Sequence, residues 1–263
     1  MAGIGGHAHW FSHIIPLLAD QYHVIAMDVG GSGDSGWRAS YSREQIVQEI
    51  LSVCTSAGLF EAARPPVLVG HSLGGQYCVE AAIAWGEKLL GVIGVDCLRQ
   101  ELLDKDPARR LFNADAPKRI RTRKTFPHEA DLISRFRLYP DPGPIHQPHV
   151  IAHIATHSGR KEADGWTWKA DPNLVLTSGH GLHLKDRLRE LACRSAAVYG
   201  EHSFMVSDNT LSLLRESSDG RTSGVIIPGS THYPMLDNPV AFLTAVRAII
   251  AGWESDSALT ART

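Results

Sequence analysis

The chain has 263 residues, 26 basic against 28 acidic side chains, a formal charge of -2, and 43% hydrophobic with 21% charged content. That is the balance of one globular domain around a single large core, and it excludes a disordered or fibrous protein. The near-neutral charge supplies no field for nucleic acid or an anionic membrane, and no apolar run approaches the roughly 20 residues of a bilayer helix.

The start, MAGIGGHAHW, has neither the basic n-region nor the apolar h-region of a signal peptide, so a cytoplasmic address is expected. Tyr22 to Met27 predicts a first strand. Ser42 and Gln45 then form a capping box ahead of Ile46, Val47, Ile50, Leu51 and Cys54, which recur at helical spacing and predict a crossover helix. A second strand is expected at Pro66 to Val69, a small-residue helix at Gly75 to Trp85, and a third strand at Leu89 to Val95. Ala196 to Tyr199 and Gly224 to Ile227 read as two more strands. Asn238 and Pro239 make the N-cap and first position of a helix running to about Trp253, beyond which the last ten residues should fray. Strands alternating with helices predict an α/β fold, a mostly parallel sheet covered by helices on both faces.

The alternation breaks between Leu98 and Leu191, where proline-punctuated helical segments replace strands. The expected organisation is a core of residues 1–97 and 174–263 with an inserted helical cap at 98–173. Within the cap, Arg109, Arg110, Lys118, Arg119, Arg121, Arg123 and Lys124 form a basic cluster. A solvated face is the first reading of it, and attraction of an anionic substrate the second. Cys54, Cys78, Cys97 and Cys193 are widely spaced with no CxxC pair and read as buried thiols rather than a zinc site or a disulfide framework.

Gly70-His71-Ser72-Leu73-Gly74 sets G-x-S-x-G directly between an apolar strand and a small-residue helix, the context a nucleophile elbow requires. In that turn Ser72 is exposed to a substrate, Gly70 and Gly74 leave room for the crowded strand and helix, and the Leu73 N–H faces the reacting oxygen. A serine hydroxyl needs a base to take its proton. His232, in Pro228-Gly229-Ser230-Thr231-His232, lies on a loop between the last strand and the final helix and follows the serine in chain order.

With these motifs the chain resembles the α/β-hydrolase superfamily over nearly its whole length. The resemblance implies that Gly3-Ile4-Gly5-Gly6, ahead of Trp10, supplies a second oxyanion donor through the N–H of Ile4 or a neighbour, with Ala2 where the family usually has histidine. Asp28 to Ser35 is similar to the family's loop ending in G-x-G-x-S; no Lys-Ser or Lys-Thr follows, which excludes a phosphate loop. The family's acid usually stands three residues after a glycine beyond the penultimate strand, which here is Ser203. Some members carry it at the end of the strand after the nucleophile helix, and Val92 to Asp96 ends in an aspartate. Asp96 is therefore the expected acid, with Glu201 or Asp208 in reserve. The resemblance also implies strands ahead of the first oxyanion loop, where this chain begins. The sheet should then show a gap between the strand ending near Asp28 and the one ending near Gly70, or those two should pair.

His149, His153 and His157 recur at a spacing that stacks them on one helix face, a metal-ligand spacing. No carboxylate or cysteine joins them, so no metal and no cofactor are expected, and a polar cap face explains them. His7, His9 and His13 are read as lining the pocket mouth, and Trp166 and Trp168 as cap anchors, with stacking on substrate as the alternative. The expected function is a serine hydrolase, monomer or homodimer, acting on a small-molecule ester or related acyl bond. Ser72, His232 and Asp96 form its triad, and Leu73 and Ile4 its oxyanion donors. Lactone, amide or carbon–carbon bond hydrolysis, acyl transfer, cofactor-free oxygenation and a catalytically weak ligand-binding role are the alternatives on the same scaffold.

Overall fold

The computed structural model describes residues 1–98, 122–143, 147–174 and 187–260. Its strands are β1 (Val67–His71), β2 (Gly91–Val95), β3 (Thr125–Phe126), β4 (Gly159–Glu162), β5 (Gly165–Trp168), β6 (Arg194–Gly200) and β7 (Thr222–Ile227). The four longer helices are α1 (Arg43–Ser56), α2 (Leu73–Trp85), α3 (Pro148–His157) and α4 (Pro239–Thr260). Strands β1, β2, β6 and β7 hydrogen-bond in that order, all parallel, with His71 opposite Val95 and Val95 opposite Val198.

Alternation along the strands divides the core. Val92, Ala197 and Tyr199 point into one apolar cluster with Ile46 and Ile50 of α1 and Tyr77 and Cys78 of α2. The intervening Ile93, Ala196 and Val198 point into a second with Phe242, Val246 and Ile250 of α4. Successive side chains of a strand leave on opposite faces, so helices cover the sheet on both sides. The capping box at the start of α1 is formed, with Ser42 accepting from the Gln45 N–H and Gln45 from the Ser42 N–H. At the start of α4, Asn238 accepts from Ala241. Cys54, Cys78 and Cys97 are buried and Cys193 is half-buried, all as free thiols.

The predicted strand at Tyr22 to Met27 does not form. That segment joins no ladder, and an apolar cavity of about 460 Å³ is lined by these residues and by Val67 to Val69 of β1. Neither expected outcome is met: the two segments do not pair, and with no strand at Tyr22 to Met27 β1 is the edge of the sheet rather than one side of a gap within it. On that side Met1 reaches into the β1 ladder: its ammonium donates to the Val69 carbonyl at 2.7 Å, and its carbonyl accepts from the His71 N–H at 2.9 Å.

The inserted segment is not purely helical. Beside α3 it holds an antiparallel sheet in the order β3-β5-β4. Gly165, at φ 127°, closes the tight turn after Asp164. An Asp-Gly pair is a hairpin signal that the helical reading passed over. Trp168 packs between Phe126 and Phe136, within the inserted segment itself. Of the basic cluster, Arg123 pairs with Asp164 at 2.7 Å and Lys124 lies over the Phe126 ring; Arg109, Arg110, Lys118, Arg119 and Arg121 lie outside the described residues.

The insertion returns to the core through Asp171. Its N–H donates to the Gly31 carbonyl at 2.8 Å and its carboxylate accepts from the Tyr41 hydroxyl at 2.5 Å. Burial, and then that bond to a carboxylate, push the Tyr41 phenol up to about 12. An unfolded tyrosine ionises near 10, so above that value the unfolded state loses its proton first. Stability held by this group should be complete below about pH 10 and fall between about pH 10 and 12. Urea unfolding across that window should show the decline in the parent and a flatter profile in Tyr41→Phe, which has no proton to lose; identical profiles would remove Tyr41 as its source.

Candidate active site

Ser72 follows β1 directly and precedes the first residue of α2, with φ 50° and ψ -125°. A non-glycine residue adopts that conformation only when its surroundings hold it there. Here the Ser72 N–H is fixed to the Val95 carbonyl at 2.9 Å. The turn has no room for side chains around it: a Cβ on Gly75 would stand 2.4 Å from Cys97 Sγ and 2.5 Å from the Gly70 carbonyl oxygen. Strand, turn and helix are thus locked together.

His232 and Asp96 complete a linear array. The His232 Nδ1–H donates to Asp96 Oδ2 at 2.5 Å, which leaves the Nε2 lone pair to accept from the Ser72 hydroxyl at 3.1 Å. His232 is 5% exposed and Asp96 is not exposed at all. A carboxylate so enclosed must be met by donors. Besides His232 it accepts from the Ser203 hydroxyl at 2.5 Å and from the Gly200 N–H at 3.3 Å. Glu201 turns away, accepting from the Gly229 N–H at 2.8 Å, and Asp208 is exposed; neither touches His232.

The loop at Gly3 to Gly6 lies against the serine. A Cβ on Gly3 would come within 2.8 Å of Ser72 Cβ, and Ser32 donates to the Gly6 carbonyl at 2.5 Å to hold the loop's far end. The N–H groups of Ile4 and Leu73 engage no acceptor among the described residues. The next turn is tied down as well, since the Ala8 N–H donates to Asp28 at 2.7 Å.

Three residues here escape a reading of the sequence. Ser203 occupies the address where a carboxylate is expected and donates to the carboxylate that replaces it. Gly200 brings its backbone against the His232 loop. His71 is buried, and its Nε2–H donates to the His232 carbonyl at 2.8 Å. Burial, then the adjacent His232, hold its pKa well below the usual imidazole range, so it is a fixed neutral donor. Nothing in G-x-S-x-G marks the second residue for that task.

The histidines read as a pocket mouth divide. His7 bonds Ser158 at 2.9 Å and His13 donates to the Met235 carbonyl at 2.8 Å. His9 faces His153 and His157, and ligand atoms of these three lie within 4.8 Å of one another. His149 is not in that group.

Comparison with known proteins agrees with this architecture. Residues 2–245 match the Alpha/beta hydrolase family, and the chain belongs to it. Its fold and site are of the serine-hydrolase, esterase-like kind. It is 26% identical over 261 residues to the 2-(acetamidomethylene)succinate hydrolase of Mesorhizobium japonicum, covering 94% of this chain and 85% of that protein. It is 24% identical over 255 residues to the pimeloyl-acyl-carrier-protein methyl ester esterase of Edwardsiella ictaluri, covering 93% and 89%. A solved E-2-(acetamidomethylene)succinate hydrolase superposes with a TM-score of 0.75 at 22% identity over 95% of this chain and 89% of that one. No helix among the described residues is long and apolar enough to cross a membrane.

A Cβ on Gly200 would lie 1.8 Å from the Thr231 carbonyl oxygen and 2.7 Å from that of Ser230, both backbone atoms just ahead of His232. Gly200→Ala should therefore lower unfolding stability by about 2 kcal/mol or more, the cost of overpacking where backbone cannot yield. Chemical denaturation measures it. A loss under about 0.5 kcal/mol, the range of a neutral surface change, would show that the loop gives way freely.

Proposed function

We propose that this protein hydrolyses a carboxylic ester or related acyl bond of a small molecule through an acyl-enzyme on Ser72. The observation that carries the reading is the continuous array from Ser72 through His232 to a buried Asp96. Ser72 Oγ attacks the acyl carbonyl while His232 Nε2 takes the hydroxyl proton. The carbonyl oxygen, now negative, lies against the N–H groups of Leu73 and Ile4. The tetrahedral intermediate collapses, His232 returns the proton to the departing alcohol, and the acyl group remains on Ser72. A water then gives a proton to His232 and attacks the acyl carbonyl; the second tetrahedral intermediate collapses, His232 returns that proton to Ser72 Oγ, and the acid is released. Throughout, Asp96 keeps His232 in the tautomer with Nε2 free and stabilises the imidazolium.

Two relatives support an acyl substrate, one named for a methyl ester and one for an amide-bearing succinate. Ester hydrolysis is the reading because the Ser72 hydroxyl takes up an acyl group as an acyl ester, whereas a carboxylate nucleophile would take up an alkyl group. The segment 98–173 is assigned as a cap on a core of 1–97 and 174–263. Its own antiparallel sheet, separate from the parallel one, supports that division. Four free cysteines support a reducing, cytoplasmic address.

Hydrolysis of a short-chain p-nitrophenyl ester tests the proposal. Ser72→Ala should lower kcat/KM by on the order of 10³ or more, and Asp96→Asn comparably, with unfolding curves showing that both variants remain folded. Activity in folded Ser72→Ala close to the parent's would overturn it.

Ser203 calls for a separate measurement, because it acts on the array only through Asp96. Removing one charge-assisted bond of three should cost Ser203→Ala roughly tenfold in kcat. KM should move little, and Ser203→Thr, which keeps the hydroxyl, should recover part of the loss. A change confined to KM would contradict a role in positioning Asp96.

A further inference from the structure

Outside the catalytic array, one cluster of side chains has the composition of a ligand site. His153 and His157 stand one turn apart on α3, in the inserted segment. His9 comes from the short turn Ala8–Phe11, which follows the loop carrying Ile4. The His9 and His157 rings are stacked at 4.0 Å between centroids, and those of His153 and His157 lie at 4.2 Å. One ligand nitrogen from each of the three falls within 4.8 Å of the others. All three are at least partly exposed, so an ion can reach them from solvent.

We propose that His9, His153 and His157 form a three-imidazole site for a divalent transition metal of the zinc class. Its ion fastens the inserted helix to the turn beside the oxyanion loop. The imidazoles are prepared for this. The His157 Nδ1–H donates to the His153 carbonyl at 2.8 Å, which fixes the tautomer and leaves the Nε2 lone pair outward. Metal-binding histidines are commonly oriented through their second nitrogen in this way. Helical spacing of four residues puts His153 and His157 on one face, and His9 closes the third side from another element. Zinc–nitrogen bonds of about 2.0–2.1 Å in a tetrahedron place ligand nitrogens roughly 3.3 Å apart. The cluster reaches that by side-chain rotation of an ångström or so at each ring. Three nitrogen ligands leave a fourth position for water. Soft-sphere and hard oxygen-seeking cations are both disfavoured by an all-imidazole set, whereas zinc, copper and nickel accept it.

The site owes nothing to Ser72 or His232, so it stands or falls apart from the hydrolase reading. The full chain, stripped with EDTA, is titrated with zinc chloride at about pH 7.5, where free imidazoles are mostly neutral. One ion should bind, with a dissociation constant of roughly 10 µM or tighter, and saturating zinc should raise the parent's Tm. His9→Ala and His157→Ala should each weaken binding by about tenfold or more and abolish the Tm shift, whereas His149→Ala, on the same helix, should leave both unchanged. Circular dichroism establishes that the variants keep their fold. Cobalt substitution should give the visible absorption of a tetrahedral nitrogen site in the parent and lose it in His9→Ala. Zinc binding of equal strength in the parent and in a folded His9→Ala/His157→Ala double variant would overturn the proposal. So would absence of binding by the parent at about 100 µM zinc.

Discussion

The buried carboxylate of Asp96 is the constraint around which the rest is arranged. An ionised group with no solvent exposure is tolerated only where donors replace water. Asp96 has three: the His232 ring, the Ser203 hydroxyl and the Gly200 amide. Two of them come from the end of β6 and the turn that follows it and one from the loop after β7, so satisfying one charge draws these together with the end of β2. Asp96 itself sits at φ 47°, a conformation an aspartate accepts more readily than a branched residue. Its N–H donates to the Val198 carbonyl at 2.8 Å, so the strained residue is also pinned to the neighbouring strand.

From that fixed carboxylate the reactive geometry follows in one direction. Asp96 sets the tautomer of His232, His71 holds the carbonyl of the same residue, and the remaining lone pair faces Ser72. The serine is held from the other side by the backbone of β2. Close contact then extends to the loop at Gly3, where a methyl group would already collide with the serine side chain. Packing this tight transmits small displacements. A residue that touches no substrate, such as Gly200, therefore belongs to the site as much as the residues that do.

How much of this the sequence discloses depends on whether the cause is local. G-x-S-x-G is local: glycines are required within five residues, and strand and helix flank it on either side. The capping box of α1 and the cap of α4 are local too, and all three are read correctly. The segment Tyr22 to Met27 has the composition of a strand, but a ladder needs a neighbour, and the segment pairs with none. Composition reports the willingness of a segment to pair and says nothing about its partner. The cap hairpin failed for another reason. Its strands are short and carry charged residues among the tryptophans, which hides the alternation that would announce them. Likewise, a helical period groups His149 with His153 and His157, but only the fold could exchange His149 for His9.

The position of the acid shows why one chemical role can move between strands without disturbing the others. Val95 and Val198 are register partners, so the residues that follow them leave adjacent parallel strands side by side. Neighbouring strands are only about 4.8 Å apart, less than the reach of a carboxylate and an imidazole together. A carboxylate on either strand end can therefore meet the same Nδ1. When it comes from β2, the address on the β6 side is free to hold a donor, and Ser203 fills it with a hydroxyl aimed at Asp96. A carboxylate at both addresses would place two like charges in one buried space and raise the proton affinity of one of them, so that both would not stay ionised. A serine at one and an aspartate at the other are thus one solution to a single electrostatic problem. The pair is recognised by the distance between them, not by either residue alone.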